Sequence, residues 1–172
     1  KNEVSDTEQP TLIDTMSLEE KVGQILFVRC VDDEQTDDLM SIKPGGILMF
    51  GRDFEGLTKD EVKEKIQSYQ DKSDIPLIIG ADEEGGTVVR VSSNPNLAPE
   101  KFKSPQEIYN EGGMDAVVEN ATEKSELLLS LGVNMNLAPV ADVSTNPSDY
   151  MYDRSLGQNA EVTADFGSKT VT

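Results

Sequence analysis

Residues Ile75–Arg90, IPLIIGADEEGGTVVR, decide how the rest of the chain is read. An apolar run from Pro76 to Ile79 leads into three consecutive acids, Asp82, Glu83 and Glu84, and then Gly85-Gly86. A short apolar run bounded by turn residues reads as a strand buried on both faces. Three adjacent carboxylates cost stability, because packed like charges repel. At the C-terminal end of a strand, before two permissive glycines, they mark a pocket that uses negative charge or hydrogen-bond acceptors.

Outward from this stretch the chain alternates apolar runs with helical patterns. Ser17-Leu-Glu-Glu20 is a capping box that opens a short helix leading into the apolar strand Gln24–Val28. A short helix over Thr36–Ile42 and the strand Gly46–Phe50 follow. Thr58 caps a helix through Tyr69, with Val62, Ile66 and Tyr69 at helical spacing. The strand Leu77–Ala81 precedes a loop-rich stretch, Ser92–Glu107, the expected mobile segment. A long helix over Met114–Leu131 ends at Gly132, a strand is expected over Asn134–Val140, and another helix over Glu161–Val171.

Strand–helix units repeated in this way predict an α/β fold with parallel strands, either a doubly wound sheet or a (β/α)8 barrel. The first strand lacks the Gly-x-Gly-x-x-Gly loop of dinucleotide-binding folds. A barrel takes about 250 residues for its eight units. On the barrel alternative, the 172 residues amount to the N-terminal half, about four βα units, of a TIM-type barrel. Residues 1–14 read as a polar acidic tail or linker, and 15–172 as the truncated barrel domain.

Fifteen basic against 33 acidic residues give a net charge of −18, which argues against nucleic acid and anionic membrane surfaces as partners. No apolar stretch is long enough to span a membrane. Cys30, the one cysteine, reads as a small buried hydrophobe. Without histidine the chain holds no Ser-His triad and no His-bearing metal site.

The polar clusters all follow strands: Arg52 and Asp53, then Asp82, Glu83, Glu84 and Arg90, then Asp142 and Asp153-Arg154-Ser155. In barrels this end carries the active-site face. An ionised Asp82 offers about four lone-pair sites, enough for two vicinal hydroxyls. Arg90 and Arg154 supply planar donor forks for sugar oxygens or a carbonyl. Asn134 and Asn136 lie two apart, on one face and pointing inward, where they need hydrogen-bond partners. Asp82, Glu84 and Asp142 could gather a hard cation, but the neighbouring arginines disfavour one, so neither metal nor cofactor is expected.

Asp82-Glu-Glu-Gly-Gly-Thr-Val-Val-Arg90 resembles the Asp-x-Glu-Gly-Gly-x-Val-x-Arg signature of the glycoside hydrolase family 3 N-terminal domain. It is closer to the β-N-acetylhexosaminidase branch than to the β-glucosidases. MSLEEKVGQ (Met16–Gln24), GGILMFGRDF (Gly45–Phe54), GVNMNLAPVADV (Gly132–Val143) and DRSLG (Asp153–Gly157) match in family order. The resemblance implies a carbohydrate partner and release of terminal β-N-acetylglucosamine by a retaining mechanism. It implies that Asp82, Arg90 and Arg154 bind the terminal sugar, with Glu84, Asp142, Arg52 and Asp53 in support. Glu83 stands where the family most often has glutamine, and is expected to tune substrate charge preference.

The resemblance also implies an absence. The family's Lys-His-Phe-Pro-Gly-His segment, its histidine–aspartate acid/base and its later nucleophilic aspartate are expected downstream of Thr172, so this chain carries no catalytic residue and is expected to be inactive alone. A β-glucosidase-type activity or a non-catalytic carbohydrate-binding domain are the competing functions. Two open sheet edges predict self-association, in the form of two half-barrels. A start at Lys1 and an acidic tail fit an extracellular or cell-surface protein of a bacterium, with a cytoplasmic location left open.

Overall fold

The computed structural model describes residues 11–29 and 33–171. Cys30 and residues 1–10 of the expected tail lie outside the described residues. Thr11 opens α1 (Leu12–Thr15), its N–H donating to Asp14 Oδ2 at 2.8 Å, so the expected tail boundary at residue 14 falls within a helical turn.

The Ser17 capping box forms α2 (Leu18–Gln24): Glu20 N–H donates to Ser17 Oγ at 3.2 Å and Ser17 N–H to Glu20 Oε2 at 2.9 Å. Then come β1 (Phe27–Val28), α3 (Asp33–Ser41), β2 (Gly46–Met49) and α4 (Gly51–Phe54). Next is α5 (Lys59–Gln70), capped by Thr58, whose Oγ1 accepts from Glu61 N–H at 3.3 Å. The remaining elements are β3 (Ile78–Ala81), α6 (Pro105–Leu131), β4 (Met135–Asn136) and α7 (Ala160–Thr170).

The four strands form one parallel sheet in the order β1-β2-β3-β4. Parallel neighbours need crossover connections, which the intervening helices supply. A doubly wound sheet would reverse its strand order at a switch point. The sequential order here is that of a partial (β/α) barrel.

The two faces of the sheet differ. Ile47 and Met49 are 1% exposed, and Ile79 and Ala81 fully buried, under Val62, Ile66 and Tyr69 of α5 and Leu128 and Leu131 of α6. Burying each of these larger side chains stabilises the fold by roughly 1.5–3 kcal/mol. The register Phe27↔Gly46↔Ile78 puts the alternate residues on the other face, where Phe27 is 38%, Ile78 42% and Met135 37% exposed. The expectation that β3 is buried on both faces therefore fails on this side: it is the inner side of a barrel, which four strands do not close. The Phe27 ring lies where Cβ atoms of Gly46 and Gly80 would stand, so both positions admit no side chain there.

The Ser92–Glu107 stretch is irregular but anchored rather than loose. Asn94 Nδ2 donates to the carbonyls of Phe54 at 2.6 Å and Leu57 at 2.8 Å, and Leu97 and Ala98 are buried. Its last residues start a helix: Ser104 Oγ accepts from Glu107 N–H at 3.3 Å, with Pro105 in the first turn. So α6 begins nine residues before Met114, and Gly113 at φ 66° breaks it into two segments. It ends, as expected, at Gly132 in the left-handed conformation, φ 93°.

Strand β4 is shorter than the expected Asn134–Val140. Leu137 N–H still donates to Ala81 O at 2.9 Å, and Pro139, lacking an N–H, ends the ladder. Asn134 and Asn136 find the partners they need in the backbone of the neighbouring strand. Asn134 accepts from Ile79 N–H at 2.8 Å and donates to Leu77 O at 3.2 Å; Asn136 accepts from Glu83 N–H at 3.0 Å and donates to Glu83 O at 3.2 Å.

Candidate functional site

The end of β3 gives its three acids three different environments. Asp82 is partly exposed, and its Oδ2 accepts one bond from Arg90 Nη2 at 3.2 Å. Glu83 is fully buried and turned back into the protein. Its Oε2 accepts from the N–H groups of Arg90 at 2.8 Å and Val91 at 2.7 Å, and its Oε1 from the Ser92 hydroxyl. Glu84 is buried and accepts both arms of Arg154, Nε at 2.9 Å and Nη2 at 2.6 Å.

Alternation along the extended chain explains this split: Asp82 and Glu84 share one side of the backbone and Glu83 takes the other. The Glu83 carboxylate thereby ties down residues 90–92 and aims the Arg90 side chain back at Asp82. A fully buried carboxylate cannot meet a substrate, which corrects the expectation that Glu83 tunes substrate charge. The hydrogen bonds to Glu84 hold the Arg154 guanidinium protonated well beyond the ordinary arginine range.

Two glycines make the turn possible. Gly85 and Gly86 have φ of 102° and 63°, which side-chain-bearing residues rarely adopt. The turn is stitched by Glu84 and Gly85 N–H groups donating to Val88 O, both at 3.0 Å, and by Gly86 N–H donating to Phe102 O at 2.8 Å.

Arg90 Nε is buried with no hydrogen-bond partner among the described residues. Phe50, just past β2, lies beneath two guanidiniums, with Arg29 Cζ 4.1 Å and Arg90 Cζ 5.5 Å from its ring centroid. The sequence reading missed both Arg29 and Phe50, whose stacking brings together the ends of separate strands. All four arginines of this acidic chain, Arg29, Arg52, Arg90 and Arg154, follow the C-terminal ends of β1, β2, β3 and β4 in turn.

The other expected members stand apart from this cluster. Asp53 accepts from Phe50 N–H at 2.8 Å and pairs with Lys65 at 3.4 Å, a local cap of α4. Arg52 and Asp142 are exposed, and neither bonds Asp82, Glu84, Arg90 or Arg154. Among the described residues no group of three or more His, Cys, Asp or Glu side chains could hold a metal ion. A cavity of about 300 Å³ between α6, β4 and α7 reaches Glu84 and Lys124 but none of Asp82, Arg90 and Arg154.

A sequential parallel βα sheet, with arginine–carboxylate pairs gathered where β3 ends, defines the class: a partial (β/α) barrel. Residues 17–172 match the glycosyl hydrolase family 3 N-terminal domain, and the chain belongs to that family. It is 30% identical over 127 residues to Beta-hexosaminidase A of Pseudoalteromonas piscicida, covering 72% of this chain and 21% of that protein. Against Beta-hexosaminidase LpqI of Mycobacterium tuberculosis it is 28% identical over 155 residues, 89% of this chain and 39% of the relative. A family 3 β-N-acetylglucosaminidase from Paenibacillus sp. superposes with a TM-score of 0.79 at 27% identity, over 91% of this chain and 30% of that one. The chain thus spans well under half the length of these relatives.

Proposed function

We propose that these residues form the sugar-binding half of a β-N-acetylhexosaminidase that releases terminal non-reducing β-N-acetylglucosamine with retention. Asp82 carries this reading. It is the one acid of the three with open acceptor capacity, since Glu83 and Glu84 are committed to internal partners. A partly exposed carboxylate with one 3.2 Å bond can accept from two vicinal hydroxyls, while the part-exposed Arg90 guanidinium paired with it offers donors beside it. Arg154, held by Glu84 two residues along from Asp82 and 27% exposed, supplies the second sugar-binding donor fork, with Arg52 and Asp142 in support. The names of the relatives supply the sugar class.

A retaining glycosidase needs a nucleophile and an acid/base flanking the glycosidic bond. The three acids here have other duties, so we assign both roles to residues outside this chain and expect the isolated chain to bind without turnover. The test is titration of the isotope-labelled chain with N-acetylglucosamine and with glucose. Shifts at the backbone amides of residues 82–90 that saturate with the first sugar and vanish in Asp82→Asn support the reading. No shift with either sugar sinks it, and an equal response to glucose favours a β-glucosidase.

We further infer a cell-surface or extracellular location, consistent with the acidic stretch before the family domain, to be checked by fractionation of cells producing the protein. Among the described residues no helix is long and apolar enough to cross a membrane. The exposed inner row of Phe27, Ile78 and Met135, together with the open edges of β1 and β4, supports pairing of two copies of the isolated chain. Light scattering showing a monodisperse monomer would remove that part of the proposal.

A further inference from the structure

Beneath the acidic turn, in the middle of α6, lies Lys124, a lysine only 7% exposed. We propose that Lys124 is a positioning residue: its amine grips the Glu84 carbonyl and so fixes the Glu84–Gly85–Gly86 turn that presents the Glu84 carboxylate to Arg154. This goes beyond the sugar-binding reading and does not depend on it.

Burying an ammonium is costly unless it is well bonded, and an aliphatic side chain would fill the same space at no such cost. Among the described residues no carboxylate lies within 4.0 Å of Lys124, so it is not half of a salt bridge. Its hydrogen bond goes to a peptide carbonyl, Glu84 O, at 2.7 Å. The Phe102 ring sits 5.6 Å from the amine, and Glu83 and Glu84 are the charged groups that face it. Across the adjoining cavity stand uncharged residues of β4 and α7, Asn136 and Phe166.

The turn is held from two sides. A Cβ at Gly85 would overlap the Lys103 carbonyl and lie 3.1 Å from Lys124 Nζ, and a Cβ at Gly86 would lie 2.7 Å from that of Ser104. Lys103-Ser104 forms one wall and Lys124 the other. The carbonyl that Lys124 grips and the carboxylate that Arg154 grips belong to the same residue. Without the amine, the Glu84–Gly85 peptide keeps only the bond from Gly85 N–H to Val88 O, and the paired geometry at Arg154 loosens. Burial lowers the Lys124 pKa to about 8 against the pull of Glu83 and Glu84, which makes the grip observable.

Hydrogen exchange and side-chain NMR of the 172-residue chain test this. In Lys124→Met, which keeps a long buried chain but no donor, the Gly85 and Gly86 amides should exchange about tenfold faster while those of α5 are unchanged, and the Arg154 Nε–H signal should shift. Equal exchange rates at the turn and at α5 relative to wild type, with Arg154 unmoved, would overturn the inference. If that variant does not fold, the wild type decides. The Arg154 Nε–H signal should titrate with the same midpoint as the Lys124 side chain, near pH 8. Arg154 standing still while Lys124 titrates, or Lys124 titrating like an exposed lysine, would overturn the inference as well.

Discussion

Two arginine–carboxylate pairs stand at the end of β3, two residues apart in sequence, and they are built differently. Glu84–Arg154 has two bonds, at 2.6 and 2.9 Å, with the carboxylate 5% exposed. Asp82–Arg90 has one bond at 3.2 Å, with side chains 23% and 26% exposed. The first has its carboxylate fully committed and serves as scaffold for an Arg154 side chain that is itself 27% exposed. The second keeps unused acceptors on a part-exposed carboxylate, as a recognition pair requires.

The largest expected effect falls on the closed pair. Arg154→Ala leaves a buried, uncompensated carboxylate, costing about 3–5 kcal/mol. At about 2–4 °C per kcal/mol for a chain of this size, the thermal midpoint should drop by roughly 10 °C, readable by circular dichroism. A drop no larger than that of Asp82→Asn would erase the distinction between the pairs.

A pH effect belongs to the closed pair alone, through Lys124. Its pKa of about 8 in the fold lies below the usual 10.5, so between these values the unfolded chain binds more protons. Stability attributable to Lys124 therefore rises with pH across that window, by on the order of 3 kcal/mol, and is flat below it. The unfolding free energy of wild type relative to that of Lys124→Met, measured in urea at pH 7 and pH 10, should shift in favour of wild type as pH rises.

The open pair depends on Glu83, which holds the Arg90 backbone. Glu83→Ala strands buried N–H groups and should cost about 1–3 kcal/mol, and it should weaken sugar binding as Arg90 loses its aim. Denaturant midpoints and sugar titrations on the same sample would show both losses. The smallest stability change is expected at Asp82→Asn, under about 1 kcal/mol because the pair is part-exposed. Sugar binding should nonetheless be lost there. Stability kept with binding lost at Asp82, against stability itself lost at Arg154, is the pattern that defines the two pairs.

Much of the fold was readable because its signals are local. The capping boxes at Ser17 and Thr58, the spacing of Val62, Ile66 and Tyr69, and Gly132 each specify an element within a few residues. The start of α6 was equally local in Ser104-Pro-Gln-Glu107, yet it was masked by the Pro- and Asn-rich stretch before it. The exposure of Ile78 was not readable, because strand composition does not say which neighbours close the far side of a sheet. The candidate site divides in the same way. The motif places Asp82, Glu84 and Arg90 together, whereas the burial of Glu83 and the reach of Lys124 depend on which helix packs below. Tertiary contacts across 40 residues, such as Lys124 to Glu84, leave no local periodicity to detect.

The side-chain amides of Asn134 and Asn136 stand in for peptide groups along the edge of β3, each both accepting and donating. Ordinary strand pairing is indifferent to side-chain chemistry, but this seam is written in two carboxamides. Deamidation at either position would replace a donor with a negative charge facing a backbone carbonyl, which ordinary backbone pairing never risks. Such a change would weaken the seam between β3 and β4, next to the end of β3 that holds Asp82.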